Sequence, residues 1–196
     1  MRMRAIAAVA TLALAGCATS IPSVDVTRFH GDAVARGGTV SVVPLDSRDA
    51  DSLEFRTTTN AVAAALGRVG YSVLDAGASG ASYRALVELR RETIEPARQG
   101  RSPVSVGVGG STGSYGSGLG LGIGINLSGK PKPMIVTQLR VQIRRVGDDA
   151  PMWEGRAETA AKQGSPAAQP GIAAGKLANA LFNDFPGASG KTITVK

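Results

Sequence analysis

The sequence predicts an α+β fold: a single domain with a largely antiparallel, twisted sheet, two amphipathic helices packed on one face of it, and a glycine-rich hairpin. Three observations carry this expectation. Several runs alternate apolar and polar residues with the period of a half-buried strand, two segments repeat apolar residues at helical spacing, and strand, helix and strand succeed one another over Thr39–Leu74. The turn at Gly147-Asp148-Asp149 joins two of the later strands as an antiparallel hairpin.

The elements follow in order. Residues 17–38 carry Pro22 and no sustained periodicity, so they read as a tether with one short strand at Ser23–Phe29. Thr39-Val-Ser-Val-Val-Pro-Leu45 is a β-branched strand that opens the domain of residues 39–196. A helix follows, with Asp51 as N-cap, Glu54 completing a capping box, and Phe55, Thr59, Val62, Leu66 and Val69 on one face. Gly70 stands where a left-handed residue ends such a helix, and Tyr71–Leu74 returns as a strand. Tyr83, Ala85, Val87 and Leu89 alternate with Arg84, Glu88 and Arg90. Leu139, Val141 and Ile143 alternate with arginine and glutamine, and Trp153, Gly155, Ala157 and Thr159 with Glu154, Arg156 and Glu158. The turn residues Gly147-Asp148-Asp149 between them make this an antiparallel hairpin. On its outer face Arg140 or Arg144 is expected to pair with Glu154 or Glu158. A second helix starts near Gly171 with Leu177, Leu181 and Phe185 in line beside Ala174 and Ala178, and Pro186-Gly187 stops it. Lys191–Lys196 closes the chain as a short strand.

Residues 105–129 stand apart as an insertion. Val106-Gly-Val-Gly109 and Gly118-Leu-Gly-Leu-Gly-Ile-Gly-Ile125 place glycine at alternate positions, which fits two strands with one aliphatic and one bare face. Each glycine would cost a helix about 1 kcal/mol, which argues against a helical zipper through Gly116, Gly120 and Gly124.

Composition narrows the chemistry. One Cys and one His among 196 residues exclude an internal disulfide framework and any metal site built from several thiolates or imidazoles. Three local patterns imitate active sites and fail on their mechanics. Gly124-x-x-x-x-Gly129-Lys130 is followed by Pro131 where a P-loop needs a hydroxyl for Mg²⁺. Gly109-Gly-Ser111-Thr-Gly113 lacks the helix of a nucleophile elbow, and the one imidazole, His30, precedes it. The Gly-x-Gly runs have no acidic partner about 20 residues on, as a dinucleotide site needs. His30 reads as a solvated tether residue, Asp46, Asp49 and Asp51 as a capped turn lacking calcium-loop spacing, and Trp153 as a core anchor. No catalytic residue, cofactor site or metal site is expected, so the protein is not expected to be an enzyme.

The first residues are the most informative. Arg2 and Arg4 precede an uncharged run, Ala5–Ala15, about half the length of a membrane-spanning helix, so residues 1–16 read as a secretory signal peptide. Leu14-Ala15-Gly16-Cys17 follows, and it resembles the lipobox of bacterial lipoproteins. That resemblance implies that Cys17 receives a diacylglycerol thioether, becomes the mature N-terminus and is acylated on its amine. Two or more acyl chains anchor a protein stably where one does so marginally. Ala18, with no Asp beside Cys17, implies the outer membrane by resemblance to the sorting rule of enterobacterial lipoproteins. Loss of Arg2 and Arg4 takes the formal charge from +7 to +5, and in an exported protein that balance meets anionic headgroups and envelope polymers, with no nucleic acid expected.

Cys17, the Thr39–Leu74 unit, the glycine segment, Met152-Trp153-Glu154-Gly155 and Phe185-Pro186-Gly187 together resemble the bacterial lipoprotein family built on a domain of unknown function. The resemblance implies an envelope lipoprotein with a compact α+β domain and carries over no enzyme residues. The expected function is a non-enzymatic lipoprotein on the periplasmic side of the outer membrane, joined to the membrane by its lipid anchor and binding a protein partner or envelope component. The alternative expectation is an accessory lipoprotein of an envelope transport or lipid-trafficking system, with a small ligand pocket.

Overall fold

The computed structural model describes residues 21–31, 34–50, 52–75, 78–96, 104–111, 118–125 and 132–196. Nine strands and two α-helices occur among them: β1 (Val24–His30), β2 (Gly38–Pro44), α1 (Leu53–Arg68), β3 (Tyr71–Leu74), β4 (Tyr83–Ile94), β5 (Val104–Ser111), β6 (Gly118–Ile125), β7 (Met134–Arg145), β8 (Pro151–Lys162), α2 (Pro170–Phe182) and β9 (Thr192–Val195). Seven strands form one open sheet in the order β3-β2-β4-β7-β8-β1-β9. Only β2 pairs in parallel, with β3 and β4; all other neighbours in the sheet are antiparallel. The α+β architecture expected from the sequence is thus the one observed.

Both helices cover one face. Val24 and Val26 of β1, Val40 of β2, Ala85 and Val87 of β4, Leu139, Val141 and Ile143 of β7, and Trp153 and Ala157 of β8 are buried on it, against Val62, Ala65 and Leu66 of α1 and Leu177, Ala178 and Leu181 of α2. The period of two along each strand puts these residues on the same side of the sheet. Alanine at 173, 174, 178 and 180, all buried, leaves α2 with a slim inner face that can lie close to the strands.

Four local expectations need correction. β1 is no isolated piece of tether: it lies between β8 and β9 and is hydrogen-bonded to both. Its alternation is masked in sequence by Arg28, which is buried, and by Phe29, which is exposed. The N-cap of α1 is Ser52, whose Oγ accepts from the Phe55 N–H, in place of Asp51, which lies outside the described residues. A hydroxyl at this position satisfies one of the orphan N–H groups of the first turn. α2 ends at Phe182, so Phe185 is not its last inward residue; Asn183 leaves helical geometry and Asp184 adopts φ 56°, turning the chain back so that Phe185 meets the core from a loop. His30 is not freely solvated: its Nε2 lies 2.8 Å from the Gly187 carbonyl and its Nδ1 2.8 Å from that of Gly31.

The glycine-rich segment forms the expected hairpin. β5 and β6 pair antiparallel with Val106 opposite Ile123, Val108 opposite Leu121, Gly107 opposite Gly122 and Gly109 opposite Gly120. Aliphatic positions therefore face aliphatic positions and glycines face glycines. The insertion leaves the domain after β4 and returns to it before β7, whose Ile94 and Met134 are directly paired.

Candidate functional site

Five of the chain's eight aromatic residues meet under the C-terminal ends of the helices. Trp153 stacks on Phe182 at 5.3 Å between centroids and touches Phe185 at the same distance, while Tyr71 meets Phe185 and Tyr83 edge-on at 5.9 and 6.0 Å. The Trp153 Nε1–H donates to the Pro186 carbonyl at 3.0 Å, and the Tyr71 hydroxyl donates to the Ala35 carbonyl. Burial and the neighbouring Tyr83 push the Tyr71 phenol up to about 12, so it remains a donor throughout the physiological range. Gly155 makes room for this knot: a Cβ there would overlap the Trp153 ring and stand 2.7 Å from Leu181 Cδ1.

Arg28 reaches the same place from below. It is 2% exposed, and its guanidinium donates from Nε to the Leu181 carbonyl at 2.9 Å and from Nη2 to the Ala180 carbonyl at 3.0 Å. These are carbonyls of the last turn of α2, where the helix leaves acceptors unpaired and its dipole favours a cation. Burial lowers the Arg28 pKa, and the Asp184 carboxylate opposes that shift. Gly187 passes directly over this side chain, for a Cβ there would lie 2.8 Å from Arg28 Nη1.

Above the knot a cleft of about 470 Å³ opens between the C-terminal ends of α1 and α2. Arg68, Asn179, Asn183 and Asp184 supply its polar lining, and Val69, Phe182 and Phe185 its apolar lining. The Arg68 guanidinium, in the last turn of α1, donates to the Asn179 side-chain carbonyl. Such a cleft can bind a small polar group through one guanidinium, two amides and one carboxylate. It offers no nucleophile beside a base, the pairing that covalent catalysis requires. A smaller cleft of about 220 Å³ lies between the N-terminal end of α1 and β4, lined among others by Ser52, Glu54, Leu89 and Arg91. Among the described residues no three His, Cys, Asp or Glu side chains come together as a metal site would require.

The face of the sheet away from the helices is polar and uncovered by any helix of the described residues. Glu154 is its hub: it accepts from Arg140 at 3.1 Å, Gln142 at 2.8 Å and Arg156 at 2.9 Å. The expected Arg140–Glu154 pair is therefore present, whereas Arg144 turns instead to Asp149 at 2.9 Å and Glu158 is met by Gln138 at 3.1 Å. Burial raises the Glu154 pKa, but the three donors outweigh it and the net shift is downward. A carboxyl with a folded pKa below its unfolded value of about 4.3 stabilises the fold fully above that value and loses the contribution as pH falls from there through the folded pKa. Urea midpoints of the wild type should therefore decline more steeply below about pH 4.3 than those of Glu154→Gln. Equal slopes would show that the network does not act on stability.

The sequence-predicted site residues fall elsewhere. Leu14, Ala15, Gly16 and Cys17 lie outside the described residues. Sequence reasoning did not find Arg28, Arg68, Asn179 and Asp184, because no local pattern separates a buried or convergent arginine from the many solvated ones.

No family model matches the chain. Among solved structures, a PDZ domain protein from Parabacteroides distasonis superposes with a TM-score of 0.50 at 8% identity, covering 89% of this chain and 39% of that one. This chain thus corresponds to about two fifths of that protein, and the likeness is one of fold alone. A PelC dodecamer from Paraburkholderia phytofirmans gives a TM-score of 0.41 at 16% identity, over 81% of this chain and 94% of that chain. In sequence, the uncharacterized protein ZMO1243 of Zymomonas mobilis subsp. mobilis is 32% identical over 213 residues, covering 88% of this chain and 80% of the relative. With identity at that level along most of both chains, this protein belongs to the same family as ZMO1243.

Proposed function

We propose that this protein is an envelope lipoprotein, held to the periplasmic side of the outer membrane by acyl chains on Cys17, whose folded domain binds a protein partner or envelope component without catalysis. The observation that carries the reading is Leu14-Ala15-Gly16-Cys17 at the end of an uncharged run, with Cys17 the one cysteine of the chain. A lone thiol placed there serves neither a disulfide nor a metal set, and a thioether anchor accounts for it.

Two features support binding as the domain's task. β5 and β6 pair with no third strand among the described residues, so their outer edges offer backbone donors and acceptors to an added strand. Both clefts are lined by charged as well as apolar side chains, which suits recognition of a polar surface more than carriage of an apolar ligand in a transport or lipid-trafficking system.

The test is metabolic labelling with a palmitate analogue, together with the mass of the mature N-terminus. Label is expected on the wild type, falling to background in Cys17→Ala, with the mature chain starting at residue 17. Label that survives Cys17→Ala, or native protein beginning at Met1, refutes the anchor. Crosslinking in intact cells then identifies what the domain holds, and recovery of lipid alone would count against a protein or polymer partner.

A further inference from the structure

We propose that one end of the domain, the end displaying Ile21, Leu53, Ile94 and Ile172, rests directly on the lipid bilayer, so that the protein has a fixed orientation there; this rests on the Cys17 anchor proposed above.

The strand registers define that end. β1 begins at Val24, which pairs with Val195, and the Ser23 carbonyl accepts from Thr159 near the end of β8. β8 finishes at Lys162 opposite Met134, and Met134 is opposite Ile94. The first turns of the helices lie beside the same strand ends: Glu54 of α1 is 3.6 Å from Arg91, Arg91 also donates to Ala168 just before α2, and Gly171 adjoins Thr57. Four of the large apolar side chains most exposed to solvent therefore share one end: Ile21 at 78%, Leu53 at 76%, Ile94 at 50% and Ile172 at 50%. At the opposite end, the turn between β7 and β8 exposes Val146 at 41% among Arg145, Asp148 and Asp149.

Chain length decides what meets this end. Four residue steps separate Cys17 from Ile21, and a chain extends at most about 3.6 Å per step, so Ile21 stays within about 14 Å of the anchored residue. β1 is locked between two strands from Val24 onward, seven residue steps or at most about 25 Å from Cys17, so the end where β1 begins is the one held nearest the anchor. Ile21, held that close to a leaflet, gains by entering its interfacial region, and the apolar side chains exposed at the same end gain with it. Among the described residues this end carries Arg91, Lys132, Lys162 and Lys196 beside Glu54, Glu92 and Glu95, so charges of the two signs nearly balance. The contact is accordingly apolar and should respond little to salt.

The experiment places a fluorophore on a single introduced cysteine, Leu53→Cys, Ile172→Cys or Val146→Cys, in the mature acylated protein and in parallel in a Cys17→Ser chain. All three positions are exposed, so the labels leave the core intact. Vesicles of phosphatidylethanolamine and phosphatidylglycerol with brominated acyl chains serve as the quencher. Emission at positions 53 and 172 is expected to fall at least two-fold, with position 146 unchanged. Equal quenching at all three positions, strongest quenching at 146, or none on acylated protein that floats with the vesicles overturns the orientation and leaves the anchor standing. Quenching at 53 and 172 in native protein found to lack acyl groups keeps the orientation and removes the anchor. Self-quenching that rises with protein concentration without vesicles would assign the face to a second copy of the chain and overturn the proposal.

Discussion

Trp153→Ala is expected to lower the free energy of unfolding by about 4 kcal/mol, the middle of the range for truncating a buried large aromatic. The side chain is 1% exposed, stacks on Phe182, touches Phe185 and donates to the Pro186 carbonyl. Removing it opens a cavity at the junction of β8, α2 and the loop after α2, and leaves that carbonyl without its partner. For a domain of this size the loss corresponds to a fall of roughly 8–16 °C in Tm. Trp153 is the sole tryptophan of the chain, so its own fluorescence follows wild-type unfolding while circular dichroism must follow the variant. Trp153→Phe keeps most of the apolar volume and should recover more than half of the loss. A deficit under about 1.5 kcal/mol in Trp153→Ala would mean that the neighbouring rings close the cavity with little strain.

Arg28→Ala should cost about 3 kcal/mol, for a different reason. The guanidinium is buried and satisfies two carbonyls at the end of α2 at once, and deleting it exposes neither of them to water. A buried acceptor left without a donor costs about 1–3 kcal/mol, and hydrogen bonds from a charged donor lie at the upper end of net contributions. Arg28→Lys retains the charge but cannot present the planar fork that meets Leu181 and Ala180 together, so it should recover less than half. Equilibrium unfolding in urea checks both variants. A loss below about 1 kcal/mol for Arg28→Ala would indicate that water reaches the helix end in its place.

These two residues also hold the floor of the larger cleft. Phe182, Asp184 and Phe185 line it, and each is placed by the turn that Arg28 and Trp153 fasten: one guanidinium on the last carbonyls of α2, one indole on the Pro186 carbonyl. A partner that reads the cleft would thus lose affinity with either variant through displacement of the turn.

The parts of this protein legible in the sequence are those governed by neighbours along the chain. Alternation located β4, β7 and β8 with their inward residues, helical spacing located α1 and the start of α2, and Gly70, at φ 102°, ends α1 where expected. The glycine hairpin followed from its period of two, and its register places glycine opposite glycine.

What the tertiary structure alone decided depends on residues far apart in the chain. Only the pairing with β8 and β9 turns residues 24–30 from a tether into an inner strand, because Arg28 breaks the apolar alternation and finds its partners over 150 positions away. Helical spacing assigned Phe185 to α2, yet the left-handed Asp184 returns it to the aromatic knot from outside the helix. The cleft, the polar face with Glu154 at its centre, and the gathering of four exposed apolar side chains at one end of the domain likewise arise only when separate elements are brought together. Periodicity reports which face a residue occupies, whereas burial of a charge, convergence of polar groups and the sharing of one end are properties of packing.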